Sequence, residues 1–156
     1  MSRLDRTDRR LLTALQENAQ LTAAELGELL HLSPSQAARR RQRLEAEGYI
    51  LGYAARPDPA RIGLSVQAFV QVSMSAHNPQ TAASFVALIR DLPEVVSAWT
   101  LTGEADYLLR VWCRDLAGLN RLIHDILLPH AAVARVQSQI VMNQTKPDAP
   151  LPVWES

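Results

Sequence analysis

Two helix-start signals eleven residues apart constrain most of what the front of this chain can become. Residues 21–53 read LTAAELGELLHLSPSQAARRRQRLEAEGYILGY. Thr22 and Glu25 form a capping box, in which a hydroxyl and a carboxylate satisfy orphan helix amides reciprocally. Ser33 and Gln36 form a second box, and Pro34 occupies the first helical position, where its missing N–H costs nothing. Leu26, Leu29 and Leu30 follow the first box at helical spacing, and His31-Leu32 supplies a tight turn before the second. The following helix runs to Glu47, with Gly48 placed to end it in a left-handed conformation. Upstream, Asp5 is the N-cap of a helix to about Asn18, with Leu11, Leu12, Leu15 and Ala19 as its apolar stripe. Three helices with a tight turn before the third are a helix-turn-helix. Tyr49–Tyr53 then reads as a short strand, the beginning of a wing.

The third helix holds four arginines in five positions, Arg39, Arg40, Arg41 and Arg43. Ala37 and Leu44, seven apart, mark its inward face, and Ser35, Gln36, Arg39 and Arg43 lie opposite them. Amides at a helix start bind phosphate, and Ser, Gln and Arg side chains near that start reach base edges in the major groove of double-stranded DNA. Ser33, Ser35, Gln36, Arg39, Arg40 and Arg43 are therefore the expected DNA-binding residues. Arg40 and Arg41 fall nearer the seam, suited to phosphate or to partners inside the protein. The plainer alternative is a solvated helix whose arginines pair with Glu45 and Glu47. Overall charge is zero; residues 1–56 carry a net +2 and the remainder a net −2. Only the clustering of arginine on one helix supports a polyanion partner.

Residues 56–63, RPDPARIG, break every periodic pattern and read as a linker, placed at 54–64 between a domain at 1–53 and another at 65–142. Beyond it the hydrophobic period changes from 3.6 to 2. Val66, Ala68, Val70, Val72 and Met74 alternate with Gln67, Phe69, Gln71, Ser73 and Ser75, a two-faced strand. Asn78-Pro79 starts a helix with Ala82, Phe85, Val86 and Ile89 inward, ending near Asp91. Val95–Thr102 and Tyr107–Cys113 are strands around a hairpin turn, Gly103–Asp106. Asp115 caps a helix with Leu116, Leu119, Ile123 and Ile126 on one side, and a last strand carries Ala134, Val136, Ser138, Ile140 and Met142. The order βαββαβ folds into a four-stranded antiparallel sheet with both helices on one face, a ferredoxin-like domain. The whole is an α+β chain: a winged helix-turn-helix, then a ferredoxin-like domain. Phe69 and, depending on register, Trp99 or Trp112 occupy the helix-free face, which a second subunit is expected to cover. A proline-rich tail, 143–156, either packs Trp154 on another subunit or frays.

Hydrophobic residues make up 47% of the 156, enough for folded cores, yet apolar runs are too short to span a membrane. The start, MSRLDRTDRR, lacks the apolar segment of a signal peptide. The lone Cys113 sits in an apolar run and reads as a buried hydrophobe in a reducing, cytoplasmic protein. His31, His77, His124 and His130 have no metal-ligand spacing, and no cofactor is expected.

Five segments in order resemble the Lrp/AsnC, or feast/famine, transcription regulators: Leu4-Asp5 with Asp8; residues 32–53; Asp58-Pro59 with Ile62-Gly63; Pro93-Glu94-Val95; and residues 102–108, TGEADYL. The family often has an apolar residue where this chain has Arg41. The resemblance implies a DNA-binding dimer, often assembled to octamers, whose second domain senses a small effector, commonly an amino acid. It implies an effector site between subunits near the hairpin Gly103–Asp106. There, turn amides beside Gly103 accept a carboxylate, Asp106 accepts from an ammonium group, and Ser138 completes the pocket from another subunit. A simple hairpin turn with a turn-stabilising Asp106 is the competing reading. Two other functions fit the architecture: a siroheme decarboxylase-like enzyme, which needs basic and histidine side chains around a tetrapyrrole, and a passive oligomeric module without DNA affinity.

Overall fold

The computed structural model describes residues 4–75 and 78–154, so His77 lies outside the described residues. The chain divides into two compact units: one takes residues up to Arg56 together with the segment from Thr145, the other Pro57–Gln144.

In the first unit, α1 (Arg6–Glu17), α2 (Ala23–Leu30) and α3 (Pro34–Ala46) each start with a complete capping box, on Asp5 and Asp8, Thr22 and Glu25, and Ser33 and Gln36 respectively. Their core is Leu11, Leu15, Leu26, Leu30, Ala37 and Leu44. Ala19 falls beyond the end of α1 and is exposed, and Leu29 is half exposed, so the apolar stripes are narrower than the spacing suggests. His31 ends α2 in the left-handed region (φ 56°), and Gly48 (φ 76°) follows α3 as expected of a helix stop. Residues 49–53 form no strand. Tyr49 and Ile50 donate their amides back to the Leu44 carbonyl and pack on the helical core, and among the described residues this unit has no strand for them to pair with.

The second unit holds β1 (Val66–Met74), α4 (Pro79–Asp91), β2 (Val95–Thr100), β3 (Tyr107–Cys113), α5 (Leu116–Arg121) with a π-helical continuation Leu122–Leu127, and β4 (Val133–Ile140). Its sheet has the order β2-β3-β1-β4, antiparallel throughout. Ala68, Val70, Val72, Leu109 and Val111 point to one face, where Phe85 and Ile89 of α4 and Leu119, Leu122 and Leu127 cover them. Leu116 is instead exposed. The π turn, with Leu128 donating to the Ile123 carbonyl, inserts one residue and turns Leu122 and Leu127 inward. On the opposite face, register places Phe69 across from Arg110, Gln67 across from Trp112, and Trp99 across from Leu108. Both tryptophans therefore share the helix-free face with Phe69.

Gly27 tests the α2–α3 turn. A Cβ there would lie 2.7 Å from the Leu32 carbonyl oxygen, a backbone atom with little freedom to move. In an open helix Gly→Ala stabilises by about 1 kcal/mol; here the clash outweighs that gain. Gly27→Ala should lower stability by about 1–3 kcal/mol, the usual cost of overpacking, in urea unfolding of the chain.

Candidate functional site

The outward end of α3 is built from its own cap. The Ser33 hydroxyl accepts from the Gln36 amide (3.2 Å), the Gln36 side-chain oxygen accepts from the Ser33 amide (3.0 Å), and the Ser33 and Ser35 hydroxyls lie 3.1 Å apart. All three residues are exposed, as is Arg39 one turn further on. Arg39 makes no ion pair among the described residues. Gln36, Arg39, Arg40 and Arg43 with Asp5, Asp8 and Leu32 line a polar cleft of about 440 Å³.

The other arginines are turned to the protein. Arg40 donates to Asp5 Oδ2 (2.6 Å) and to Asp8 Oδ1 (2.7 Å), and Arg43 donates to Asp8 Oδ2 (2.6 Å). Asp8 is a buried carboxylate with 1% of its side chain exposed, and it also accepts from the Asp5 amide (3.1 Å). Burial works to raise its pKa, but hydrogen bonds from Arg43, the Asp5 amide and Arg40 together outweigh it and hold the carboxyl below its ordinary value. Arg41 pairs with Glu45 (3.0 Å), donates to the Leu21 carbonyl (3.2 Å) and lies 4.7 Å from the ring centre of Tyr53, whose hydroxyl donates to Glu45 (2.7 Å). Arg43 also approaches Glu47 (3.7 Å). Thus Ser33, Ser35, Gln36 and Arg39 lie on the expected outward face, whereas Arg40 and Arg43 face α1. The pairing with Glu45 and Glu47 is present alongside.

Asp8 was not singled out by its charge chemistry in the sequence. Its signal was available, three residues after the Asp5 cap, where a carboxylate faces the helix start.

In the second unit, Gly103 (φ 119°) occupies the β2–β3 turn in a conformation that favours glycine. Asp106 Oδ2 accepts from the Met74 amide (2.7 Å), and Ser73 donates to the Glu104 carbonyl (3.1 Å), so the hairpin is fastened to the end of β1. Asp106 therefore has a structural bond of the turn-stabilising kind. Ser138 lies on β4 opposite Val70, exposed, and β1 stands between it and β3. Within one chain Ser138 is not brought to the Gly103–Asp106 turn. Among the described residues no group of three or more His, Cys, Asp or Glu could hold a metal ion, and no helix is long and apolar enough to cross a membrane.

A capped, arginine-bearing third helix on one unit and a ferredoxin-like sheet on the other define the class: a helix-turn-helix protein with a second, α+β domain. Residues 4–45 match the AsnC-type helix-turn-helix domain, and residues 67–151 match the Lrp/AsnC ligand binding domain. The chain belongs to the Lrp/AsnC family of transcription regulators. It is 33% identical to the DNA-binding transcriptional activator DecR of Escherichia coli over 96% of this chain and 99% of that one. It is 37% identical to the Bkd operon transcriptional regulator of Pseudomonas aeruginosa, over 91% of this chain and 93% of that one. Its fold matches a transcriptional regulator of Neisseria meningitidis solved as a complex with L-Met, with a TM-score of 0.92, 40% identity, and coverage of 96% and 97% of the two chains.

The Asp8 network carries a pH signature. Because folding depresses the Asp8 pKa, its contribution to stability is present above the ordinary value of 3.8 and is lost as pH falls through the lower folded-state value. Asp8→Asn should destabilise the chain by about 2 kcal/mol at neutral pH, the scale of lost charge-assisted hydrogen bonds. It should also flatten the fall of stability between about pH 4 and the acid limit, read by thermal unfolding across pH.

Proposed function

We propose that the chain reads double-stranded DNA with the exposed start of α3, Gln36 and Arg39 reaching base edges while Ser33, Ser35 and the helix-start amides engage phosphate. Arg40 and Arg43 contribute positive charge from the seam, where their ties to Asp8 hold α3 against α1. The observation that carries this reading is the division of labour among the arginines. Arg39 is exposed beside the capping serines, and its neighbours are anchored behind it.

The second domain is proposed to take a small effector, an amino acid, at the Gly103–Asp106 turn. The L-Met complex of the Neisseria regulator supports that ligand class. A pocket combining Gly103, Asp106 and Ser138 requires more than one subunit, since β1 separates the turn from Ser138 in a single chain. Phe69, Trp99 and Trp112 on the helix-free face support a dimer through the sheets, and further assembly to octamers follows the family pattern. A cytoplasmic location fits a DNA-binding regulator. The relatives are named as regulators and lend no support to a siroheme decarboxylase, so we propose a non-enzymatic role.

Arg39→Ala and Gln36→Ala should each weaken binding to a duplex from the chain's own upstream region by about 1–3 kcal/mol and relax sequence preference, measured by fluorescence anisotropy. Unchanged affinity in both variants would refute the α3 assignment. Gly103→Leu should abolish the change in DNA affinity or particle mass on adding amino acids while leaving duplex binding without effector intact. A full response from that variant contradicts the effector site.

A further inference from the structure

The chain enters its DNA-binding unit twice, first through residue 56 and again from Thr145. The returning segment, residues 145–154, carries prolines at 147, 150 and 152, which keep a peptide extended at little further entropic cost. It lies along α1. The Gln16 carboxamide makes a two-point pair with the Leu151 peptide: its Nε2 donates to the Leu151 carbonyl (3.1 Å), and the Leu151 amide donates to its Oε1 (2.6 Å). Arg9 donates to the Trp154 carbonyl. Arg56 donates to the Asp148 carbonyl (3.1 Å), fastening the outgoing and returning segments together.

These contacts read backbone, the mode by which proteins capture extended peptides. Beside them runs a cavity of about 680 Å³ lined by Leu12, Leu15, Tyr49 and Ile50 and by Leu151 and Val153 of the tail. Leu151 and Trp154 remain 76% exposed, so hydrogen bonds rather than apolar burial hold the segment in register. The same helix, α1, therefore grips α3 through Asp5 and Asp8 and the tail through Arg9 and Gln16.

We propose that this surface of α1 is a docking site for an extended, proline-rich peptide, occupied by the chain's own C-terminal segment, and that the docked segment acts as a strap on DNA binding. By restraining α1 it restrains the arginines that Asp5 and Asp8 hold. The regulatory half rests on the reading of α3 as the DNA-contacting helix; the docking half does not.

Two chains test it: full-length Gln16→Ala, which removes both bonds to Leu151 at an exposed position, and a chain ending at Gln144. Each is compared with the parent by hydrogen–deuterium exchange and by titration of a labelled duplex from its own upstream region. The strap predicts faster exchange in α1 and residues 49–54 for both, with duplex affinity weakened about three- to tenfold. Exchange identical to the parent in both overturns the docking. Faster exchange with unchanged affinity overturns the regulatory role. If truncation alters particle mass while Gln16→Ala matches the parent in exchange and affinity, the tail serves assembly and the strap is overturned. If the parent itself ignores the duplex, the α3 reading and the regulatory half fail together, while exchange still decides the docking.

Discussion

A carboxylate removed from water is costly unless its charge is met, and at Asp8 two guanidiniums and a backbone amide meet it. That cluster joins the first turn of α1 to the middle of α3, helices whose apolar contact consists of small and medium side chains such as Ala37, Leu11 and Leu44. The charge network adds direction to a hydrophobic contact that by itself has little. It sets the rotation of α3, and so decides which residues of the arginine run face outward. Arg40 and Arg43 keep 29% and 32% of their side chains exposed. With five N–H donors per guanidinium, each can serve Asp8 and still present charge to a phosphate. Anchoring these arginines therefore need not remove them from an electrostatic surface; it fixes where they stand.

The second unit shows a comparable economy of polar contacts. Asp106 and Ser73 fasten the β2–β3 hairpin to β1, leaving the Gly103 turn held at its base. A turn supported in this way keeps its backbone amides oriented without help from a ligand, as a preorganised binding site requires. The helix-free face, with Phe69, Trp99 and Trp112 among glutamines and Arg110, is mixed in character, and the sheet register alone determines that mixture.

Much of this was legible in the residues because local chemistry and tertiary structure agree. The capping boxes at Thr22 and Ser33, the Pro34 start, and the alternation in β1 are each decided within a few residues, and the structure follows them. What escaped depends on distant partners. Leu116 fits the inward side of a 3.6-residue period but stands at the first position of α5 and is exposed, while Leu119, Ile123 and Ile126 meet the core as that period expects and the π-helical turn adds Leu122 and Leu127 to it. Tyr49–Tyr53 has strand-forming composition but, among the described residues, no strand of its unit to pair with. Arg43 sits on the outward side of a helical wheel, yet its long side chain reaches back to a carboxylate 35 residues earlier.

The claim at the centre is that the α3 surface, with its anchored arginines, meets a polyanionic duplex. The most direct measurement is the dependence of duplex affinity on salt for the unmodified chain, beginning at low ionic strength. Neutralisation of phosphates by these arginines predicts measurable binding whose logarithm falls linearly with log salt, by about 0.9 for each phosphate engaged. Absence of binding at low salt, or an affinity indifferent to salt, would contradict it.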